Sequence, residues 1–570
     1  MQTAVAQTPA DASSKSHPKG LYVLFATEMW ERFNFYGMRA LLTLFLVNAL
    51  AFSEADSSYV YGGFLGLCYL TPMLGGYISD RYLGNRNCIL LGGFTMGIGQ
   101  LLMVVSAVLY ATNIETAKLM VWIALLVIIF GNGFFKPNIS SMVGQLYSKT
   151  DNRLDAAFTI FYMGINVGAF LGMFICSTVG DVIGKDNVRI VGAFKWGFLA
   201  ASIAMFLGSV MFYFLKDKYV ITPDGKAIGG KPDFSKPVAH LAEGEADKAK
   251  FSTTAIFGVL GLMIVLFFVI HYLSLDPNPI KSWLYPFIYA AGISLAVLIL
   301  TDKSITKVER QRILVIYFVA FFVIFFWACF EQAGSSLTFV ADYQTDRHFL
   351  WWNLPPSLIQ NFNSVFIVIF AFPFSWLWMK LNKRNMEPIS PVKQSIGLAL
   401  LAFGFFIIAM QVKDLGPGQK LGVIWLIVMY LFHTLGELCL SPIGLSLVSK
   451  LAPHRFSSLL MGVWFLANAA GYALAGTLGA LLPPTQDKFE LATKNNIDLK
   501  GILDGTITAT AQQLDKLHEL KLAAHYPTFA GFTIHNLYEF FMVFVILPGA
   551  AAVLLFLSTA FLKKWMHGVR

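Results

Sequence analysis

The sequence predicts an all-α polytopic membrane protein, and its composition and hydrophobic pattern lead to this fold class. Hydrophobic residues make up 56% of the 570-residue chain and charged residues only 13%, whereas about a quarter of the residues in a soluble protein are charged. The apolar residues are gathered into fourteen runs. Each run is long enough, as a helix, to cross a hydrocarbon core about 30 Å thick. We therefore expect the lipid bilayer to surround the protein.

The fourteen predicted spans follow one another along the chain and are separated by polar segments. In order, they are residues 21–49, 58–79, 87–111, 117–146, 153–178, 191–215, 252–274, 282–301, 310–341, 358–381, 394–412, 420–449, 456–482 and 536–562. Lys and Arg are concentrated in the loops on the side of the N-terminal tail, and the positive-inside rule places that side in the cytoplasm. The tail 1–20 lacks the apolar core of a secretory signal. Both this tail and the tail 563–570 are expected to be cytoplasmic.

Two long polar segments divide the chain into domains. The linker 217–251 separates a six-helix bundle, 21–216, from the remaining eight spans. Those eight are read as an inserted helix pair, 252–301, and a second six-helix bundle, 302–562. The other polar segment, 483–535, is predicted to be external and to contain a short amphipathic helix near residues 511–520. Two matching halves are typical of secondary transporters.

The first span carries an unusual number of ionisable side chains. Glu28, Arg32, Tyr36 and Arg39 follow one another at steps of four, four and three, and Glu31 is adjacent to Arg32. On a helix, these side chains form one stripe. A charge near the bilayer centre costs about 2.5–3.5 kcal/mol, so the stripe must face protein or a water-filled cavity. An ion pair that merely joins two helices is the alternative, but it explains the second arginine poorly.

Three further charges lie well inside spans, away from the span ends where Lys195 is placed, and their signs are segregated between the halves. Lys136 lies in the first half, and Glu331 and Glu437 lie in the second. A zwitterionic ligand needs such opposite poles on the two walls of a cavity. As alternatives, Lys136 could bond the carbonyls freed by Pro137, and the two glutamates could be neutral hydrogen-bonding groups that hold helices together.

Several functional classes find no support in the sequence. The five cysteines lie in apolar runs and lack metal-ligand spacing, and His433 and Glu437 share a helical face without a third ligand nearby. There is no phosphate-binding loop of the Gly-x-x-x-x-Gly-Lys-Ser/Thr type. We therefore expect no metal, no cofactor and no enzymatic activity, and an ion gradient as the energy source. The net charge of +9 reflects membrane topology rather than nucleic-acid binding.

Five short motifs carry a resemblance to a known family. Residues 76–86 read GYISDRYLGNR, which resembles the cytoplasmic signature of the major facilitator superfamily. With 28–33 (EMWERF), 131–138 (GNGFFKPN), 158–168 (FTIFYMGINVG) and 436–442 (GELCLSP), the chain resembles the proton-dependent oligopeptide transporter family, in its bacterial type. The resemblance implies a major facilitator fold of two six-helix bundles with two extra helices between them. It also implies symport of di- and tripeptides with H⁺ across the inner (plasma) membrane of a bacterium, driven by the proton gradient, with no obligatory protein partner.

The resemblance further implies which residues bind the substrate. Arg32 and Lys136 are expected to attract the peptide carboxylate, and Glu331 to meet the amino terminus. The other expected substrate-binding residues are Tyr36, Arg39, Tyr69, Asn166, Asn363, Glu437, Ser441 and Trp464. Members of the family tend to have Asn-Pro where this chain has Asn363-Ser364, so whether a helix breaks there is left open.

Proton coupling is assigned to the first span. Glu28 or Glu31 beside Arg32 would gain a proton when a substrate carboxylate takes the arginine, so that proton and peptide favour each other reciprocally. Two pairs across the halves are predicted to act as gates. The resemblance implies the partners, which are Arg39 with Glu331 at the outer end and Lys136 with Glu437 at the inner end.

The alternative function is a proton-coupled carrier of nitrate or another small anion, because a cluster of basic residues would serve an anion as well. The intact Glu-x-x-Glu-Arg stretch argues against it, since in this family that motif accompanies peptide transport. A receptor or scaffold would leave the cavity charges without a role.

Overall fold

The computed structural model describes residues 16–147, 153–184, 188–222, 225–231, 251–416 and 418–569. Within these ranges the α-helices are α1 (Lys19–Leu50), α2 (Glu54–Ile78), α3 (Asn85–Leu109), α4 (Ile114–Gln145), α5 (Leu154–Gly180), α6 (Phe194–Tyr219), α7 (Thr253–Leu273), α8 (Tyr285–Leu300), α9 (Lys307–Phe330), α10 (Ser336–Tyr343), α11 (Phe362–Lys383), α12 (Ser390–Lys413), α13 (Val423–Leu451), α14 (Ser457–Gly479), α15 (Gln486–Lys494), α16 (Leu499–Leu503), α17 (Ala511–Glu519) and α18 (Leu537–Trp565). The strands have two residues each. They pair as β1 (Thr345–Asp346) with β4 (Leu421–Gly422), β2 (His348–Phe349) with β3 (Trp352–Asn353), and β5 (Thr528–Phe529) with β6 (Phe532–Thr533).

The long helices match the predicted spans. In the described part of the chain, thirteen helical segments are long and apolar enough to cross a membrane. The remaining predicted span corresponds to α2, a helix of 25 residues with Glu54 and Asp56 in its first turn. The all-α polytopic fold class is therefore confirmed.

Two predicted spans differ in detail from the observed helices. The span 310–341 is not one helix, because a 3₁₀ turn, Glu331–Gly334, separates α9 from α10. The span 358–381 begins with a 3₁₀ segment, Pro356–Asn361, and α11 then runs without interruption through Asn363 and Ser364. The helix therefore continues at the position where the sequence left a break open.

The first half consists of α1 to α6. Helix α1 packs against α5 and α6, and α4 packs against α2 and α3. Small residues allow α1 and α5 to approach closely, since a side chain at Gly168 or Gly172 of α5 would collide with the backbone of Met29 or Phe33. Such close approach of backbones is the usual means of packing helices within a bilayer.

The second half consists of α9 to α14 together with α18. Helix α12 packs against α13 and α18, and α14 packs against α9. The halves meet chiefly where α14 packs against α2. The inserted pair, α7 and α8, lies outside the two bundles, and α8 contacts both α14 and α2.

The two polar segments lie at opposite ends of the bundle, and we call these ends the linker end and the loop end. The linker end carries residues 217–222 and 225–231 of the linker, which are held by Arg86. Its Nε donates to the carbonyl of Ile228 at 2.5 Å, and its guanidinium pairs with Asp217 at 2.6 Å. The loop end carries the segment 483–535, which contains α15, α16, α17 and the β5–β6 hairpin.

The segment 483–535 has a small core of its own, which includes Ala492, Ile502 and Leu517. The predicted amphipathic helix is α17, and its first turn is closed by a capping box between Thr510 and Gln513. The nine-residue α15 and the five-residue α16 were not predicted. The five-residue α16 spans too few turns to show a clear periodic pattern.

Candidate functional site

A central cavity with about 1200 Å³ of empty space, part of it open to solvent, lies between the two halves. Ten of the eleven predicted substrate-binding residues line it. They are Tyr36, Arg39, Tyr69, Lys136, Asn166, Glu331, Asn363, Glu437, Ser441 and Trp464. Arg32 is the exception among them, since its buried side chain lies behind the cavity wall. The helices that the sequence singled out therefore do converge on one space.

The loop end of the cavity is closed by polar contacts between the halves. Arg39 Nη1 lies 3.1 Å from an oxygen of Glu331, and both side chains are buried. The Tyr61 hydroxyl donates to the same carboxylate at 2.9 Å. One helical turn beyond Arg39, Thr43 donates to the carbonyl of Gly334 at 2.9 Å. The predicted pair of Arg39 and Glu331 thus lies within a larger cluster of contacts.

A second cluster joins the halves closer to the surface of the loop end. Arg189, between α5 and α6, pairs with Asp181 at 2.8 Å and with Asp342 of α10 at 2.7 Å. Asp181 also accepts hydrogen bonds from Ser357 across the interface, at 3.1 Å from the backbone N–H and 2.8 Å from the hydroxyl. Sequence reasoning missed these residues because they lie just outside the predicted spans. The only signal in the sequence that could have identified this cluster is the presence of three charged residues, Asp181, Arg189 and Asp342, near the ends of predicted spans.

The cavity reaches solvent at its linker end. Tyr162 of α5 and Leu445 of α13 both line the cavity, and they are 43% and 41% exposed. In the described part of the chain no ion pair joins Lys136 to Glu437, the predicted inner gate. The structure therefore has a closed loop end and an open linker end.

The two members of the predicted inner pair have other partners. The Lys136 ammonium lies 3.5 Å from the centroid of the Tyr69 ring, an arrangement that attracts a cation electrostatically. Glu437 accepts a hydrogen bond from Asn363 at 3.0 Å. Among the described residues, Lys136 donates to no backbone carbonyl, so the structure gives no support to a role in bonding carbonyls near Pro137.

Arg32 joins the two glutamates of the first span. Its Nε lies 2.9 Å from Glu28, at the i, i+4 spacing of one helical face, and it also contacts Glu31. All three side chains are buried. Within the described residues, Arg32 Nη2, Glu28 Oε2 and Glu31 Oε1 have neither a hydrogen-bond nor an ion-pair partner. This cluster therefore retains one unused donor and two unused acceptors.

Aromatic residues complete the wall of the cavity. The Tyr69 ring packs against Tyr472 with 4.7 Å between the centroids, and Trp464 packs against Gly444, where any side chain would collide with the indole. Tyr61, Tyr472 and Asn468 were not predicted as site residues. In a membrane protein such residues give no signal that distinguishes them from ordinary membrane aromatics or helix-joining amides.

Comparison with known proteins places this geometry in a family. Residues 86–494 match the sequence profile of the POT family (PTR2). The chain is 32% identical over 491 residues to the peptide transporter YePEPT of Yersinia enterocolitica, with 84% of this chain and 90% of that protein covered. It is 31% identical over 477 residues to a di-/tripeptide transporter of Lactococcus lactis subsp. cremoris, with 80% and 88% covered. It is also 34% identical over 500 residues to YclF, an uncharacterised transporter of Bacillus subtilis, with 85% and 93% covered.

Solved structures give the same result for the fold. A crystal structure of a POT family transporter in complex with a thioalcohol-conjugated peptide superimposes with a TM-score of 0.70 at 27% identity, and covers 96% of this chain and 97% of that chain. A second, of a POT family transporter in complex with 5-aminolevulinic acid, gives 0.69 at 28% identity with the same coverage. The family profile covers most of the chain, and relatives more than 30% identical extend over at least four fifths of it. The chain therefore belongs to the POT family, and its fold is of the major facilitator type.

Proposed function

We propose that this protein is a proton-coupled symporter that imports di- and tripeptides by alternating access across the inner membrane of a bacterium. The observation that carries the proposal is the arrangement of charge around the cavity. Lys136 lies on the wall formed by the first half, and Glu331 and Glu437 lie on the wall formed by the second half. A zwitterionic peptide has one carboxylate and one ammonium, and therefore complements both walls at once.

The two ends of the peptide are assigned to different halves. Lys136 has no carboxylate within ion-pair distance among the described residues, so its ammonium is available to the peptide carboxylate. Arg32 lies behind this pole and adds positive charge. The amino terminus is assigned to Glu331, with Glu437 nearby on the same wall. The names of the Yersinia and Lactococcus relatives, which are peptide and di-/tripeptide transporters, support this choice of substrate.

Proton coupling is assigned to Glu28 and Glu31. With Arg32 close to both, each carboxylate is stabilised as an anion. A substrate carboxylate that draws on the positive charge of Arg32 weakens this stabilisation and favours protonation of one of the glutamates. By linkage, the proton strengthens peptide binding to the same extent. No cofactor and no obligatory protein partner are needed for this cycle.

The closed loop end and open linker end correspond to one state of the transport cycle. We place the linker end in the cytoplasm, because loops rich in Lys and Arg lie there. In this orientation the structure is the inward-facing state, with both termini in the cytoplasm. Rocking of the two halves about the cavity would then open the loop end.

Uptake into proteoliposomes tests the proposal. A labelled dipeptide should accumulate when the outside is acidic, and accumulation should stop when a protonophore collapses the gradient. Unlabelled di- and tripeptides should compete, whereas free amino acids and nitrate should not. Competition by nitrate and not by peptides would favour the anion carrier instead, a function that leaves Glu331 and Glu437 without a role.

A further inference from the structure

The 3₁₀ turn Glu331–Gly334 of the second half is held by three side chains of the first half. Arg39 pairs with Glu331 at 3.1 Å, the Tyr61 hydroxyl donates to Glu331 Oε2 at 2.9 Å, and Thr43 donates to the carbonyl of Gly334 at 2.9 Å. Arg39 and Thr43 come from α1, and Tyr61 comes from α2. Contacts from two different helices fix the orientation of the Glu331 carboxylate as well as its position.

The position of Tyr61 depends on a missing side chain. A Cβ at Gly334 would collide with the hydroxyl and the end of the Tyr61 ring. Because residue 334 is glycine, the ring can lie against the turn, with its hydroxyl reaching the carboxylate. Tyr61 is fully buried and does not line the cavity, whereas Glu331 does. The hydrogen bond of the Tyr61 hydroxyl therefore reaches the cavity through Glu331.

We propose that Tyr61 is a positioning residue that determines how strongly the transporter selects a free amino terminus. Its hydroxyl holds Oε2 of Glu331 toward the first half, so that the carboxylate keeps one orientation toward the cavity. An ammonium group that enters the cavity then meets a carboxylate whose rotation is already fixed. Little conformational freedom of the carboxylate is therefore lost on binding. This inference rests on the proposed function, which assigns the peptide amino group to Glu331.

The substitution Tyr61→Phe isolates this role. It keeps the ring against Gly334 and removes only the hydroxyl that reaches Glu331. Tyr285→Phe is a matched control, because Tyr285 is also buried and donates at 2.9 Å, to the backbone carbonyl of Tyr59. That hydrogen bond joins α8 to α2 and makes no contact with the Glu331–Gly334 turn. Each variant thus loses one hydroxyl from a buried tyrosine.

The test measures selection at each end of the peptide separately. Inhibition of labelled Ala-Ala counterflow is measured with Ala-Ala, with N-acetyl-Ala-Ala and with Ala-Ala amide, for wild type and both variants. In Tyr61→Phe, the preference for Ala-Ala over the N-acetyl peptide should fall by about five- to tenfold, which is the size of effect that one ordinary hydrogen bond contributes, because Tyr61 acts on the peptide only indirectly. The preference for Ala-Ala over the amide should stay at its wild-type value. Tyr285→Phe should keep both preferences.

Three results would overturn the inference. These are an unchanged amino-end preference in Tyr61→Phe, an equal fall at both ends, and the same fall in Tyr285→Phe. If the wild-type protein shows no preference for a free amino terminus, the assignment of the peptide amino group to Glu331 is wrong, and so is the role inferred for Tyr61. The wild-type measurement alone distinguishes this outcome from the other three.

If Tyr61→Phe folds poorly, a second variant tests the same role of the Tyr61 hydroxyl. In Gly334→Ala the tyrosine is unchanged, but the new methyl group occupies the space of its hydroxyl and forces the ring away from Glu331. The same selective loss at the amino end is expected. Retention of wild-type selection in a folded Gly334→Ala protein would overturn the inference.

Discussion

At the scale of single residues, Arg32 is notable because its side chain forms ion pairs with two carboxylates and still has an unused hydrogen-bond donor. Its Nε is shared between Glu28 and Glu31, whereas Nη2 has no hydrogen-bond partner among the described residues. The planar guanidinium can address several oxygens in fixed directions at once. A lysine ammonium at the same place is a single point charge.

Replacing Arg32 by lysine should therefore be costly although the charge is kept. We expect Arg32→Lys to reduce the affinity for Ala-Ala by roughly tenfold or more, since a multidentate donor is replaced by a point charge. Counterflow inhibition measures this affinity. Ala-Ala amide, which lacks the carboxylate, should inhibit wild type and variant about equally. A variant that prefers the free acid as strongly as wild type would show that Arg32 does not act on the carboxylate end.

Substitutions of the two glutamates beside Arg32 should separate proton coupling from the movement of peptide across the membrane. In Glu28→Gln or Glu31→Gln, one site can no longer exchange its proton, so accumulation of peptide against a gradient should be lost while downhill exchange remains. Glu115→Gln is the control, since Glu115 is exposed and pairs with Lys118 at the surface. Concentrative uptake that persists in both variants and in the double variant would place the coupling site elsewhere.

Helical periodicity in the sequence could predict some residues of the site but not others. The stripe from Glu28 to Arg39 was predictable, because helical spacing alone brings Glu28 within 2.9 Å of Arg32. Tyr61 and Glu331 are 270 positions apart. Periodicity shows which face of a helix is special, but it does not show which faces of different helices meet. For Arg39 with Glu331, the family resemblance supplied that information, and for Tyr61 nothing did.

At the scale of elements, the spans were predictable because hydropathy reports what lipid requires. The turn Glu331–Gly334 was not, since it lies inside an apolar run and is buried among other helices. Non-helical backbone at this depth is tolerated only where it lies inside protein or beside a cavity. The interruption between α9 and α10 thus reflects tertiary contacts with α1 and α2, which no local pattern records.

The segment 483–535 shows a second feature of this kind, because α15 touches both halves. Lys488 Nζ lies 2.8 Å from Glu54 of α2, and its neighbour Asp487 accepts from Gln344 Nε2, beside α10, at 3.1 Å. The Lys488 ammonium also lies 4.7 Å from the Tyr343 ring centroid. Helix α15 therefore bridges the halves at the end that is closed.

Removing this bridge should favour opening of the loop end. In Lys488→Ala, we expect the fraction of loop-end-open molecules to rise by about two- to fivefold, since a partly exposed ion pair contributes only a modest free energy. Distances between spin labels on the two halves at the loop end measure this fraction. Lys516→Ala is the control, since Lys516 pairs with Glu519 inside α17. Equal distance distributions in both variants would mean that α15 does not restrain the halves.

At the scale of the whole molecule, the polar contacts that the described residues make between the halves are distributed unevenly. Two buried clusters join the halves at the loop end, around Glu331 and around Arg189. At the linker end, Lys136 and Glu437 face the same cavity without forming a pair. If the halves rock about the cavity, the loop-end contacts must break as the linker end closes. The free energies of the two sets of contacts must then lie close enough for proton and peptide to shift the balance, within a coupling range of about 1–3 kcal/mol.

A charge swap tests whether Lys136 and Glu437 close the linker end in the other state. Lys136→Glu places three carboxylates around one cavity, and Glu437→Lys places a second lysine opposite the first. Each single variant should reduce peptide exchange by about tenfold or more, because like charges across a closing gap repel. The double variant restores opposite charges, so it should regain much of the opening and closing seen by spin labels at both ends. Transport should recover less, because both residues also line the peptide cavity. A double variant that moves no better than the worse single variant would show that the pair is not a gate, and Lys136 would then act on the peptide carboxylate and on Tyr69 alone.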